Sequence, residues 1–217
     1  MKGGDDDMSA QPIEGWLVAH PPPSHTLLFP LAKAAGYTID DWLKLPQTGE
    51  RIELIDGSFV VQGVPASNHA VCAGRLVRVL LDAAPDDIEV AEAVGTLVGE
   101  DGLIPDVVIA DADVMVSGIR GIRFPDILAV AEVVSPGVGN RKRDHEIKPP
   151  KYAAAGIPTF IRVEIEGDGA PWVEVFHLHE GRYELATAAK AGETLTLTQP
   201  FPVSFDPAIL TGRRRRS

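Results

Sequence analysis

Two acidic residues stand where an acid is costly. Glu132 is the only charged residue in Ile127-Leu128-Ala129-Val130-Ala131-Glu132-Val133-Val134, an apolar run that reads as a strand covered on both faces. A carboxylate withdrawn from water there loses hydration worth several kcal/mol, so an ionised Glu132 requires a cation, hydrogen-bond donors or a raised pKa. A strand end that surfaces, or a pairing with a buried arginine, would meet the same need. Asp106 follows Pro105 and precedes Val107-Val108-Ile109, so it lies at the mouth of a second strand, where a side chain is aimed rigidly into a cleft. Two such carboxylates suit Mg2+ or Mn2+, hard cations that keep several waters and need only one or two protein carboxylates. Pro-Asp is also a turn word, and it recurs at Pro125-Asp126, so the pair alone does not decide.

The surrounding elements are those that could hold these acids. Thr38-Ile39-Asp40-Asp41 has capping-box form and opens a short helix that Pro46 ends. Arg51 to Ile55 and Ser58 to Val61 read as a hairpin turned by Asp56-Gly57. Ser67 is placed to cap a helix reaching about Ala84, with His69, Ala73, Leu76 and Leu80 on one stripe. Short β-branched runs at Ile88 to Val94, Thr96 to Val98 and Val107 to Ala110 join the Glu132 strand in one sheet. A helix through Lys148 to Ala155 stops at Gly156, and a strand returns over Thr159 to Ile165. Trp172 to Leu178 and Arg182 to Leu185 complete a C-terminal hairpin, and no repeat recurs.

A length of 217 residues suits one α/β domain, here expected over 37–210, after an irregular N-terminal arm at 1–36 and before a basic disordered tail at 211–217. No apolar run approaches the roughly 18 residues of a membrane span, and the N-terminus lacks the apolar stretch of a secretory signal, so the expected location is cytoplasmic. Cys72 is the only cysteine, which excludes a disulfide within the chain and argues against a thiolate zinc site. The net charge of −11 sits awkwardly with polyanion binding, which draws on lysine and arginine. Basic residues are nonetheless clustered at Arg141-Lys142-Arg143 and Arg213 to Arg216, so local positive patches can coexist with an acidic total.

Over about residues 38 to 210 the chain resembles the Uma-type endonuclease family, within the PD-(D/E)XK restriction-endonuclease-like superfamily. The words that carry the resemblance are Glu53-Leu54-Ile55-Asp56-Gly57, His69 on the next helix, Pro105-Asp106-Val107 and Glu132-Val133-Val134-Ser135-Pro136. Asp144 and Lys148 follow, ahead of Tyr152-Ala153-Ala154-Ala155-Gly156-Ile157-Pro158, and Pro200-Phe201-Pro202-Val203 through Leu210 resembles the family's ending. The resemblance implies an α/β (α+β) fold with an αβββαβ core and a mixed sheet flanked by helices. Asp106 and Glu132 would bind Mg2+ or Mn2+, Lys148 would stand in for the superfamily lysine, and Glu53, His69 and Asp144 would support them. It further implies a metal-dependent nuclease that hydrolyses DNA phosphodiesters, with DNA as substrate, no membrane partner and a homodimer left open.

The sequence departs from the superfamily in two places. Position 134 is Val where the superfamily has Lys, so the lysine must come from the next helix, and Pro149-Pro150 directly after Lys148 disturbs that helix. Lys148 would then lie just before the helix or cap it, and Lys151 is a rival for its task. Asp144 and Lys148, four apart, would share a helical face. Glu53 reads either as an additional acid of the site or as a hairpin glutamate paired with Arg51. His69 could bind phosphate, orient Glu53, carry a proton or simply be a hydrogen-bonded helix-start histidine, and His145 reads as a surface residue. A catalytically silent module of the same fold, binding a protein partner or nucleic acid, is the rival function.

Overall fold

The structure is a computed structural model that describes residues 16–19, 27–30, 35–46, 49–135 and 141–212. Its strands are β1 (Trp16–Ala19), β2 (Leu27–Pro30), β3 (Ile52–Ile55), β4 (Ser58–Val61), β5 (Ile88–Glu92), β6 (Thr96–Val98) and β7 (Asp101–Leu103). They continue with β8 (Val107–Asp111), β9 (Ile127–Val134), β10 (Thr159–Glu164), β11 (Trp172–His179), β12 (Arg182–Lys190), β13 (Leu195–Leu197) and β14 (Val203–Phe205). The helices are α1 (Ile39–Leu43), α2 (Ser67–Leu81), α3 (Ala112–Val116) and α4 (Lys148–Ala154), with a π turn at Arg143–Ile147 before α4 and a 3-10 turn at Pro207–Leu210.

The central sheet has six strands in the order β12-β11-β10-β9-β8-β5, in which only β9 and β10 are parallel. A parallel pair needs a crossover, and the π turn and α4 supply it. β9 is buried along nearly its whole length because both faces of the sheet are covered. On one face Ala73, Leu76 and Leu80 of α2, three members of the stripe expected from the sequence, pack with Cys72 against Val107, Ile109, Ala131 and Val133. The opposite face carries Val108, Val130 and Phe160 against Tyr152 of α4 and Val98 and Leu103 of a second sheet, ordered β4-β3-β7-β6. The acids therefore sit where two sheets and one helix meet.

Several expectations are corrected by the structure. Ser67 is the first helical residue, the cap position is Ala66, and no side chain caps it; the His69 amide is instead satisfied by Asn68 Oδ1 at 2.9 Å. Within the stretch expected to be an irregular arm, the apolar words Trp16 to Ala19 and Leu27 to Pro30 pair as antiparallel strands. The second hairpin runs to Lys190, carried past a bulge between Val175 and Phe176. The short strand β7 and the helix α3 have no period long enough to be read in advance. The expected tail Arg213 to Arg216 lies outside the described residues, while Gly212 is tied down through its carbonyl, which accepts from Arg75 Nη1 at 2.6 Å.

The helix ahead of the prolines is also corrected. Lys148 is the first residue of α4 but not the start of helical backbone: a helical run already extends from Arg141, and the Lys148 amide donates to the Arg143 carbonyl five residues back. Proline at 149 and 150 would forfeit the usual bonds to the carbonyls four residues earlier and clash with that turn, and the widened π turn makes room for both rings.

The second sheet is positioned through Trp42 of α1, whose Nε1 donates to the Ile52 carbonyl at 2.6 Å. Its indole lies flat over Gly102, where a Cβ would fall 2.4 Å from the ring. We expect Gly102→Ala to cost about 1–3 kcal/mol, the range for overpacking a closed interior. Chemical denaturation measures this, and an unchanged midpoint would mean that Trp42 can move aside.

Candidate functional site

Glu132 projects from β9 onto the face covered by α4, and Lys148 descends from the helix to meet it. Lys148 Nζ lies 3.0 Å from Glu132 Oε1 and 2.8 Å from Glu53 Oε1, all three residues being at most 2 % exposed. The Tyr152 hydroxyl, one turn further along α4, donates to the same Glu132 Oε1 at 2.6 Å. Glu53 is held from two more directions: the Ile104 amide donates to Oε1 at 2.8 Å and Gln62 Nε2 donates to Oε2. Arg143 Nη1 donates to Gln62 Oε1 at 2.6 Å, and its Nε donates to buried Asp144 at 3.0 Å. Asp144 and Lys148 both face inward, as their spacing implied.

Asp106 sits at the start of β8 beside this group. Its Oδ2 accepts from the amide of Val133, the residue after Glu132, at 2.9 Å. Its Oδ1 accepts from His69 Nε2 at 3.1 Å and from Arg51 at 3.3 Å. On its other side His69 Nδ1 meets the Ser135 hydroxyl at 2.8 Å. An ionised carboxylate only accepts, so His69 presents an N–H at Nε2, and the Ser135 hydroxyl, able to donate or accept, meets the other ring nitrogen.

The environment drives the acids apart. Burial pushes the Asp106 carboxyl up, but the His69 hydrogen bond and charge, the Val133 amide and Lys148 outweigh it, leaving it below the usual aspartate range. Burial raises Glu132 to about 8 against the pull of Lys148, with Asp106, Asp144 and Glu53 adding repulsion. Asp144 is raised by burial, opposed by Lys148 and Arg143. Lys148 would lose its proton through burial, yet the surrounding carboxylates, Glu132 first, raise its pKa and hold it as an ammonium. An acid held ionised beside one held near neutrality is the pattern by which sites divide acid and base work.

Of the residues singled out from the sequence, Asp106, Glu132, Lys148, Glu53, His69 and Asp144 thus converge on one cluster. Lys151 does not join it: its Nζ binds Asp56 and Asp101, each at 2.6 Å, on the outer side of α4. His69 orients Asp106 rather than Glu53. Arg51 pairs with Asp106 rather than with Glu53 as a hairpin neighbour would. His145 lies 2.6 Å from buried Glu164 instead of standing free on the surface. Gln62, Arg143 and Ser135 escaped the sequence reading as site residues, since nothing local marks a glutamine after an edge strand as the support of a distant glutamate.

Among the described residues no set of three or more Asp, Glu, His and Cys side chains is arranged to hold a metal. The donor chemistry nevertheless fits a hard cation. Asp106 and Glu132 offer only oxygen, and Glu132 Oε2 makes no hydrogen bond to any described residue, while water and substrate oxygens complete the coordination of Mg2+ in such sites.

The model of the Uma2 family, described as "Putative restriction endonuclease", matches residues 39–211. No protein of curated function matches. Among solved structures, the chain is similar to a protein described as a "putative nuclease belonging to DUF820" from Anabaena variabilis ATCC 29413, at 16% identity and a TM-score of 0.62, covering 80% of this chain and 97% of that one. That likeness is one of fold, a mixed α+β nuclease fold.

Burial of Glu132 has a measurable consequence. A carboxyl whose folded pKa is raised contributes stability that is full below its unfolded value, near 4.5, and is lost as pH rises toward about 8. Glu132→Gln should flatten the fall in unfolding free energy across that window. A pH profile identical to that of the unaltered chain would place the raised pKa elsewhere. Lys148→Met, which strands two buried carboxylates, should cost about 3–5 kcal/mol, the range for breaking a buried pair.

Proposed function

The chain is a member of the Uma2 family, and from that premise we propose that it is a metal-dependent endonuclease hydrolysing DNA phosphodiester bonds at the Asp106 and Glu132 cleft. The observation that carries this reading is the buried Lys148 ammonium between Glu132 and Glu53, beside an Asp106 held ionised. Asp106 and Glu132 would hold Mg2+ or Mn2+, which when bound polarises the phosphate and lowers the pKa of a water.

The chain's own residues prepare the rest. His69, Arg51 and the Val133 amide keep Asp106 ionised and fix its orientation, while Tyr152 fixes Glu132. Lys148, at 2 % exposure, meets the negative charge that grows on the phosphate oxygens, and a cation does this best in a dry, preorganised site. Arg51 has 29 % of its side chain exposed and long bonds of 3.3–3.4 Å, so it can turn toward a substrate phosphate when Asp106 takes another cation. Local cations of this kind let an acidic protein hold a polyanion at one place. Cys72 is part of the same reading of a reducing, cytoplasmic setting: burial pushes its thiol up to about 12, which suits an inert core residue.

One observation favours the silent-module reading instead. Lys148, His69 and Arg51 already balance Glu132, Glu53 and Asp106 without any metal. Metal titration separates the two. Mn2+ or Mg2+ should raise the melting temperature of the unaltered chain and leave that of Asp106→Asn unmoved. Cleavage of DNA should fall at least about 100-fold in Asp106→Asn, the loss typical of removing one electrostatic contributor. Full activity in that variant would exclude Asp106 from the chemistry, and a chain that neither binds metal nor cleaves would be the silent module.

A further inference from the structure

Asp106 Oδ1 is oversubscribed. His69 Nε2 lies 3.1 Å from it, and Nη1 and Nη2 of Arg51 each lie 3.3 Å from it, so three donors converge on an oxygen with two lone pairs. The other oxygen, Oδ2, accepts from the Val133 amide at 2.9 Å. A cation reaches Oδ1 only when one of its present donors withdraws.

The two donors are not equally free to leave. His69 is 8 % exposed, and its other ring nitrogen is held by the Ser135 hydroxyl at 2.8 Å. Arg51 has 29 % of its side chain exposed, and its Nε is buried with no hydrogen-bond partner among the described residues. Its contacts with Asp106 and with the carbonyls of Ile104 and Pro105 are all 3.3–3.4 Å, whereas charge-assisted N–H bonds to a carboxylate ordinarily run to about 2.7–2.9 Å. The guanidinium is therefore the loosely held member. A guanidinium grips best through two parallel bonds to two oxygens. Asp106 denies it that grip, because Oδ2 faces the amide of Val133 and both nitrogens crowd onto Oδ1. A phosphodiester offers two non-bridging oxygens at once.

We propose that Arg51 is the placeholder for the cation on Asp106 and becomes a phosphate clamp once it is displaced. In the metal-free chain it occupies Oδ1; when Asp106 takes a metal, the freed guanidinium takes both non-bridging oxygens of a phosphate in the bound strand. Metal and substrate then bind cooperatively, since the phosphate gives Arg51 the partner that the metal removes. The inference rests on the nuclease reading for the identity of the cation and the polyanion.

The test begins with calorimetric titration of the full chain and of Arg51→Met with Mn2+ alone. Arg51→Met should bind Mn2+ at least about tenfold more tightly, the scale of one charge-assisted contact. In Mn2+ the KM for duplex DNA should rise at least about tenfold, with a smaller change in kcat, because a ground-state contact is lost. The loss of duplex affinity in EDTA should be several times smaller, since there Arg51 stays on Asp106. Arg51→Lys keeps the charge but has no fork, so it should show the same rise in KM, which keeps the proposal open to refutation even if Arg51→Met does not fold. An unaltered chain that binds Mn2+ while Arg51→Met binds it no more tightly overturns the placeholder and leaves the nuclease reading standing. Equal losses of duplex affinity in EDTA and Mn2+ overturn the clamp. A chain that binds no Mn2+ with or without Arg51 overturns this proposal and the nuclease reading together, whereas Mn2+ binding that emerges only in Arg51→Met supports the placeholder.

Discussion

The ion cluster around Lys148 organises the structure, because none of its members could be buried alone. One ammonium reaches Glu132 on the central sheet and Glu53 on the second sheet, and it comes from the helix that crosses between β9 and β10. Each carboxylate would otherwise lose several kcal/mol of hydration. The same contact ties three separate layers to one point. Tyr152 and the Ile104 amide donate to the same oxygens as the lysine, Glu132 Oε1 and Glu53 Oε1, while Gln62, itself held by Arg143, reaches Glu53 Oε2.

The π turn follows from this requirement. Two prolines after Lys148 would break an ordinary helix at the place where its side chain must enter the cluster, and the wider turn carries the chain past them. The rotation it introduces sends Lys148 and Tyr152 inward while Lys151 goes out to Asp56 and Asp101. Val134, two residues after Glu132, brings no charge to the site, and Lys148 of α4 supplies the cation beside Glu132 at the cost of a helical irregularity. Asp106 is treated differently, with donors on both oxygens, so neighbouring acids end in opposite protonation tendencies within one buried cluster.

Much of this was legible from local pattern. An apolar strand with one glutamate, an Asp-Gly hairpin and an amphipathic helix are short-range signals, and each element formed where its residues placed it. The Asp144 to Lys148 spacing survived even the π turn as a shared inward face. By contrast, Ser67 looked like a cap and was not one, because where a helix begins is set by how the preceding chain docks, and Asn68 served the free amide instead. β7 is three residues long and contains Gly102, so its strand character comes from pairing with Leu54 and Leu97 rather than from its own composition.

The sequence by itself determined which residues are costly to bury and therefore need partners: Glu132 in its strand, Asp106 at a strand mouth, and a lysine four residues after Asp144. It did not determine who those partners are. Pairing Arg51 with Asp106 joins residues 55 apart in the chain, and His69 with Ser135 joins residues 66 apart. The choice between Lys148 and Lys151 and the support of Glu53 by Gln62 were likewise decided only when two sheets and a helix packed together. Periodicity reports the face a side chain takes on its own element, whereas hydrogen bonds and charge pairs depend on distances between elements, which only the assembled core sets.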